Sequence, residues 1–361
     1  MIYNGKYILY AGVFFDNASA YAARMVETVD WHGWMAAWPA WPAAAWLAAV
    51  PLLALFIDRW LGEPALHWHP VVWMGRWLAW AGARLAPPQH LVHVLPAAQL
   101  FWTAAAAWCA MAAFIWALAS LLQDWVLTQP APLAALALGM ALKPLLAWDL
   151  LRAEVLAVEA ALESGVAAGQ VRLAQLVSRE VRTLTGAQVR EGAIESLAEN
   201  LADSLIAPLL WFALLGLPGA ALYRFANTAD AMWGYPGVRE GRDWQWAGKW
   251  AARADDVLSW LPARLAAAAL AAAAGQAGNG AFWRATAQQA QRTPSPNGGW
   301  PMGAMALLLG VRLGKPGAYT LNEAARAPQP ADTRRACVLA ASAAWGAAVL
   351  ASCALLAVAT V

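Results

Sequence analysis

LPAAQLFWTAAAAWCAMAAFIWALASLL, running from Leu95 to Leu122, carries no Asp, Glu, Lys or Arg. Roughly 20 apolar residues in a helix cross about 30 Å of hydrocarbon, so this stretch predicts a transmembrane helix and sets the fold class. Three further runs read the same way: Ala43 to Ile57, ending at Asp58 and Arg59; Ala131 to Ala147, interrupted only by Lys143; and Ala336 to Val361, without a charge. The whole chain agrees, being 61% hydrophobic and 13% charged, against roughly 45–50% and about 25% for soluble domains. Its 24 tryptophans suit the membrane–water interface, where an indole keeps its ring in lipid and its N–H wet. A net charge of +2 gives no electrostatic footprint for nucleic acid. Cys109, Cys337 and Cys353 lie in apolar runs without CxxC spacing and read as packing residues.

Two more apolar segments are interrupted. Leu205–Phe225 contains Pro208, Gly216, Pro218 and Gly219, and Leu258–Ala274 contains Pro262 and Arg264 near its start. Both are flanked by polar, arginine-bearing stretches, which favours broken or re-entrant helices keeping 151–204, 226–257 and 276–335 on one face, since irregular backbone is tolerated at membrane depth when protein surrounds it; the alternative is two true spans, in and then out, leaving only 226–257 outside. The expected fold is therefore all-α: a polytopic integral membrane protein with about four transmembrane helices and two broken or re-entrant segments. Arg59, Arg76 and Arg84 in the 58–93 connection, and Arg152, Arg172, Arg179, Arg182 and Arg190 after the third span, put these regions in the cytoplasm by the positive-inside rule. Residues 1–40 lack the basic start, apolar centre and cleavage site of a signal peptide and read as an N-terminal extension. Residues 41–335 read as the membrane-embedded functional domain and 336–361 as a C-terminal transmembrane helix.

The chemistry-bearing residues fall in the polar blocks. In Glu195-Ser-Leu-Ala-Glu199-Asn200-Leu-Ala-Asp203 the carboxylates recur at i, i+4 and i+8 along one helix face. Like charges so spaced repel, a cost relieved if a cation such as Mg²⁺ bridges them or their substrates; the plainer alternative is a solvated acidic face. Asn227-Thr-Ala-Asp230 brings an amide and an acid to i, i+3, with Gly234 permitting a tight turn. Arg253-Ala-Asp255-Asp256 points adjacent acids in different directions, and Arg264 follows. Ser295-Pro-Asn297-Gly298-Gly299-Trp300-Pro301 is a strong turn signal. GxxxxGK[ST] and GxGxxG loops are absent from the sequence, so nucleotide use would need another kind of site. His67 and His69 precede Pro70 without the partners a zinc site requires.

Taken in order, these clusters resemble the CobD/CbiB family of cobalamin biosynthesis, the membrane adenosylcobinamide-phosphate synthases. The resemblance is carried by Asp58…Gly62-Glu63-Pro64…His69-Pro70…Gly75-Arg76, Ser178-Arg179-Glu180, and Glu195 through Asp203 with Ala207-Pro208. It continues through Asn227-Thr228…Asp230…Gly234-Tyr235, Arg253…Asp255-Asp256…Pro262-Ala-Arg264, Ser295-Pro-Asn297…Gly299-Trp300-Pro301 and Gly310-Val-Arg-Leu-Gly314. It spans about residues 50–320. Departures from the usual pattern stand at Glu63, Ser178, Glu180, Val181, Leu201, Ala202, Ser204, Ser259 and Met302.

The resemblance implies an ATP-dependent amide ligation that joins an aminopropanol arm, free or phosphorylated, to a propionate of adenosylcobyric acid. It implies ATP as co-substrate, Mg²⁺, a corrinoid substrate, a bacterial inner-membrane location and an active site facing the cytoplasm. Glu195, Glu199 and Asp203 are then the candidate Mg²⁺ ligands or amine base, and Asn200 completes the catalytic group. Arg179, Asn227, Asp230, Arg253, Asp255, Asp256, Arg264, Ser295, Asn297 and His69 are the candidate substrate contacts. Membrane lipid and later enzymes of the same pathway are the expected partners, and nucleic acid is not. Two other classes stay open: a catalytically silent membrane sensor resembling AmpE, and a corrinoid transporter.

Overall fold

The computed structural model describes residues 43–62, 67–91 and 95–358. The N-terminal extension at 1–40 and the motif residues Glu63 and Pro64 lie outside them. The described chain is helical apart from two short β-hairpins.

Helices α1 (Ala43–Ala48) and α2 (Val50–Leu61) form the first apolar run, divided at Ala49 with Pro51 in the opening turn of the second. Proline lacks the N–H that a continuous helix would need there. Helix α3 (Pro70–Leu85) follows, and α4 (Ala97–Leu127) contains the charge-free stretch. Helix α5 (Ala131–Leu142), a 3₁₀ turn at Lys143–Leu145 and α6 (Trp148–Glu163) form one column. At its break, buried Lys143 pairs with Asp58 at 3.6 Å, and the Asp149 N–H donates to Asp58 Oδ2 at 2.8 Å. Helix α7 (Val166–Leu173) leads to α8 (Gly186–Leu201), which opens with a capping box between Thr185 and Gln188.

A π-helical turn at Ala202–Ile206 joins α8 to α9 (Ala207–Trp233). Such single π turns favour functional sites. Here the N–H of Ala147 takes up the Ser204 carbonyl at 3.1 Å, tying the bulge to the break in the α5–α6 column.

Among the described residues, four helical stretches are long and apolar enough to cross a membrane: Ala97–Leu127, Ala131–Glu163, Gly186–Trp233 and Pro330–Val358. The number agrees with the sequence reading, but the membership differs. The run 43–57 is split and is not among them, whereas the interrupted segment 205–225 lies inside one.

That segment does not run straight. The Tyr223 hydroxyl reaches Asp203 Oδ1 at 3.5 Å across 20 residues of sequence, and Arg224 Nη1 donates to Ser204 Oγ at 3.2 Å. A straight helix would part such residues by about 30 Å. The reversal comes at Gly216, whose φ of 70° and ψ of −159° fall in a region only glycine enters readily. Gln123 of α4 seats the turn, its side-chain oxygen accepting from the Leu217 N–H at 2.7 Å. The chain therefore doubles back at Gly216 and brings Tyr223 and Arg224 beside the π turn, as the broken-helix reading expected.

Strands β1 (Val238–Arg239) and β2 (Arg242–Asp243) form a small hairpin. Helices α10 (Lys249–Leu258) and α11 (Trp260–Ala273) meet at Ser259 with a 44° bend, so the second interrupted segment is also broken. Helices α12 (Gly280–Ala290) and α13 (Gly299–Leu309) precede the hairpin of β3 (Leu313–Lys315) and β4 (Tyr319–Leu321). Helix α14 (Pro330–Val358) closes the chain and packs on α8 and α11. It starts six residues before the apolar run at Ala336, because Asp332 and Arg326 fix its first turn through bonds of 2.6 and 2.9 Å.

The core is built from Leu55, Leu78, Leu142, Ile194, Leu197, Leu201, Leu205, Tyr223, Phe225 and Trp233, all fully buried. Trp60, Trp68, Trp80, Trp102 and Trp125 instead face outward, as lipid-facing and interfacial tryptophans do.

Candidate active site

A cleft of about 330 Å³ opens where α8 meets the connection from α7, the turn before α13 and the β3–β4 hairpin. Its walls include Arg179, Glu195, Ser196, Glu199, Asn200, Ser295, Met302, Lys315 and Tyr319. Five of these, Arg179, Glu195, Glu199, Asn200 and Ser295, are sequence candidates brought together from three separate motifs.

Glu195 is the most deeply set, only 4% exposed. Arg179 Nη2 donates to its Oε2 at 3.2 Å, while its Oε1 is buried with no hydrogen-bond partner. A buried carboxylate oxygen without a partner is costly unless something arrives to meet it. Space for the Arg179 guanidinium exists because residue 192 is glycine: a Cβ there would strike Nη2. Glu199, one turn further along α8, faces the positive charges of Lys315 and Arg179 and the negative charge of Asp230. It also approaches Gly298, where a Cβ would lie 3.0 Å from its Oε1. Asn200 turns back on its own helix, donating to the Ser196 carbonyl at 2.9 Å.

Asp203 stands in the π turn and starts a second, more acidic group. Tyr223 connects it at 3.5 Å to a chain of polar contacts, sharing a hydrogen bond of 3.0 Å with Ser259, whose hydroxyl donates to Asp255 at 3.4 Å. Asn227 Nδ2 donates to the other Asp255 oxygen at 3.4 Å. Asp230 acts electrostatically on Asp203, Asp255 and Asp256. Gly234 is required beside it, since a Cβ at 234 would collide with the Asp230 carboxylate. Asn297 joins this group to the cleft: its Nδ2 donates to the Asp256 carbonyl at 2.8 Å, and its buried Oδ1 has no partner. The Ser295 hydroxyl accepts from the N–H groups of Asn297 and Gly298 at 3.2 and 3.4 Å, holding the turn in shape.

Three candidates have other contacts. Arg264 donates to the Trp260 carbonyl at 2.6 Å and lies over the rings of Trp260 and Trp300, 4.1 and 4.9 Å from their centroids. It thus braces the α11–α13 contact. His69 caps α3, its Nδ1 accepting from the Val71 N–H at 3.3 Å. Arg253 is exposed on α10, one turn before Asp256.

Lys315, Tyr319 and Tyr223 are not among the sequence candidates. Tyr223 sits inside an apolar run that reads as a span. Lys315 and Tyr319 lie on a two-stranded hairpin whose signal, Pro316-Gly317 between short alternating strands, is brief. Burial holds the Tyr319 phenol proton well above the ordinary tyrosine range, and the charges of Glu195 and Glu199 reinforce this. Two departures from the family pattern have visible roles: Ser259 bridges Tyr223 and Asp255, and the Met302 sulfur accepts the Tyr319 hydroxyl at 3.7 Å.

Among the described residues, no three His, Cys, Asp or Glu side chains gather closely enough to hold a metal by themselves. Glu195, Glu199 and Asp203 are strung along α8 and the π turn instead of converging. Mg²⁺ ordinarily takes one or two carboxylates and completes its shell with water and substrate phosphate. The unpartnered Glu195 Oε1 with Glu199 one turn away fits that demand.

The fold and cleft define a helical membrane protein with a buried, carboxylate-rich site between broken helices. The family model of the CobD/Cbib protein matches residues 51–343, and the chain belongs to the CobD/CbiB family. It is 37% identical over 278 residues to the probable cobalamin biosynthesis protein CobD of Methanothermobacter thermautotrophicus, covering 76% of this chain and 86% of that one. It is 41% identical over 267 residues to the cobalamin biosynthesis protein CobD of Chromobacterium violaceum, covering 73% and 80%. The corresponding Methanothrix thermoacetophila protein is 32% identical over 293 residues, covering 80% and 90%. No solved structure matches the chain.

Proposed function

We propose that this protein works in cobalamin biosynthesis as an ATP-dependent ligase, joining the amine of an aminopropanol or its phosphate to a propionate of adenosylcobyric acid. The observation that carries the reading is the cleft: a buried carboxylate with an unpartnered oxygen, Glu195, beside the cations Arg179 and Lys315 and beside Glu199, which is coupled by charge to the buried aspartate group behind it.

A carboxylate is a poor acyl donor because oxide cannot leave. In the proposed reaction the propionate oxygen attacks the γ-phosphorus of ATP, the bond to the departing ADP breaks, and an acyl phosphate results. The amine nitrogen then attacks the carbonyl carbon, phosphate leaves, and the nitrogen gives up a proton to a carboxylate. Arg179 and Lys315 balance phosphoryl charge. Asp203, Asp230, Asp255 and Asp256 make the inner end favourable for an ammonium group, and one of them, or Glu199, accepts its proton. Glu195 and Glu199 would hold Mg²⁺, which screens phosphate charge when bound. Asn200, Asn227 and Asn297 offer amides to orient substrate oxygens.

A cleft of about 330 Å³ admits the reacting arm and not the corrinoid ring, so the ring stays at the mouth. The arginine distribution supports an inner-membrane protein whose mouth opens to the cytoplasm, within reach of later enzymes of the pathway. Mass spectrometry of adenosylcobyric acid incubated with purified protein, ATP, Mg²⁺ and each candidate amine tests the reading. The expected outcome is an aminopropanol adduct with ATP consumed. Corrinoid binding without any adduct would favour the sensor reading, and corrinoid uptake into vesicles without amide formation would favour transport.

A further inference from the structure

The β3–β4 hairpin has two faces. In its register Lys315 pairs with Tyr319 and Gly314 with Thr320, so Lys315 and Tyr319 stand opposite one another at the free end. The connecting turn has Pro316 second and Gly317 third, with Gly317 at a φ of 75° and the Ala318 N–H donating to the Lys315 carbonyl at 3.0 Å. This is the residue pattern of a type II turn, in which proline and glycine are each pre-set for their positions. Lys315 is thereby carried on a stiff element.

On the inner side, Lys315, Ala318 and Tyr319 line the 330 Å³ cleft. On the outer side the same three residues line a concavity of about 620 Å³, together with Arg292, Thr320 and the carboxylate of Glu323. The hairpin tip is thus the sill between the cleft and a shallow outer surface. Arg292 is fixed to the outer strand, donating to the Thr320 carbonyl at 3.2 Å and pairing with Glu323 at 3.5 Å. With Arg292 engaged by Glu323 outside and Arg179 by Glu195 inside, Lys315 is the cation that faces both sides. A linear polyanion has the shape to cross such a sill: one end enters the cleft beside Glu199, and the remaining charge rests outside. Lysine suits this role because its ammonium acts as a point charge that phosphate oxygens can approach from several directions.

We propose that the β3–β4 hairpin is the polyphosphate-binding element of this protein. Lys315 holds the phosphate chain of a nucleoside triphosphate where it passes from the outer concavity into the cleft, and Tyr319 closes against its inner end. The proposal rests on the ligase reading for its choice of nucleotide.

Calorimetric titration of Mg²⁺-tripolyphosphate into the full-length protein in detergent micelles tests it without the ligation reaction. Wild type binds, Lys315→Ala binds at least about tenfold more weakly, equivalent to about 1.4 kcal/mol, and Lys315→Arg recovers most of the affinity. Recovery by Arg shows that the loss reflects the charge and not misfolding. Absence of binding by wild type, or equal affinity in Lys315→Ala, overturns the proposal. The amide assay separates the two readings. An unchanged KM for ATP in an active Lys315→Ala overturns the hairpin assignment alone. Lys315-dependent binding without amide product from wild type leaves the hairpin assignment standing and removes the ligase.

Discussion

Buried carboxylates in this protein come in two kinds. Glu159 on α6 takes three bonds of 2.8–2.9 Å from Arg190 and one of 2.7 Å from Thr333, joining α6, α8 and α14. Asp332 takes bonds of 2.6 and 2.9 Å from Arg326 and one of 2.8 Å from the Gln329 N–H. In the cleft and the aspartate group beside it the contacts are longer: 3.2 Å from Arg179 to Glu195, 3.5 Å from Tyr223 to Asp203, and 3.4 Å from both Ser259 and Asn227 to Asp255. The first group is finished and holds helices together. The second retains unused capacity, as catalytic hydrogen bonds often do before substrate tightens them. Burial alone does not distinguish the two groups; satisfaction does.

The contrast is sharpest under neutralisation. Glu199→Gln should lower amide formation on the order of 10³-fold, about 4 kcal/mol in the barrier. Thermal melting in micelles should be unchanged or raised, because a like-charge contact is relieved. Full activity in purified Glu199→Gln would remove that residue from the catalytic set. Glu159→Gln should do the opposite. It leaves Arg190 charged and partnered only by a neutral amide, costing about 3 kcal/mol of stability, while turnover per folded molecule stays near wild type. If the two substitutions gave the same profile, the distinction between buttress and site would collapse.

The helical hairpin that carries the site is partly legible in the amino-acid pattern. Gly216, Pro218 and Gly219 interrupt the apolar run of 205–225, and the chain reverses at Gly216, where only glycine accepts the backbone. Gly216→Ala should therefore cost about 2 kcal/mol, with the added methyl also meeting the Gln123 amide. Circular dichroism melting of the variant checks this, and an unchanged midpoint would mean that the reversal lies elsewhere. The acidic face of α8 is legible from its fourfold spacing. Its partners are not, because the Lys315–Tyr319 hairpin and Tyr223 reach it through tertiary contacts that no local period encodes. The contacts of Arg264 are illegible for a related reason: its stacking on Trp260 and Trp300 arises only when α11 and α13 are packed. Ala43 to Ile57 has the composition of a span, but Pro51 begins a new helix inside it.

The smallest effect falls on the boundary between the two kinds of group. Tyr319 lines the cleft beside Glu195 and Glu199 yet holds its proton unusually tightly. The folded protein then binds this proton more firmly than the unfolded chain, so whatever stability Tyr319 contributes is present below about pH 10 and declines as pH rises further. Within the working range it remains a neutral hydrogen-bond donor and cannot serve as a titrating base. Tyr319→Phe should thus reduce turnover by less than about tenfold, the worth of one neutral hydrogen bond, and leave the alkaline limb of the pH–rate profile where wild type has it. A displaced limb would make Tyr319 a proton carrier and move it from the wall of the cleft into its chemistry.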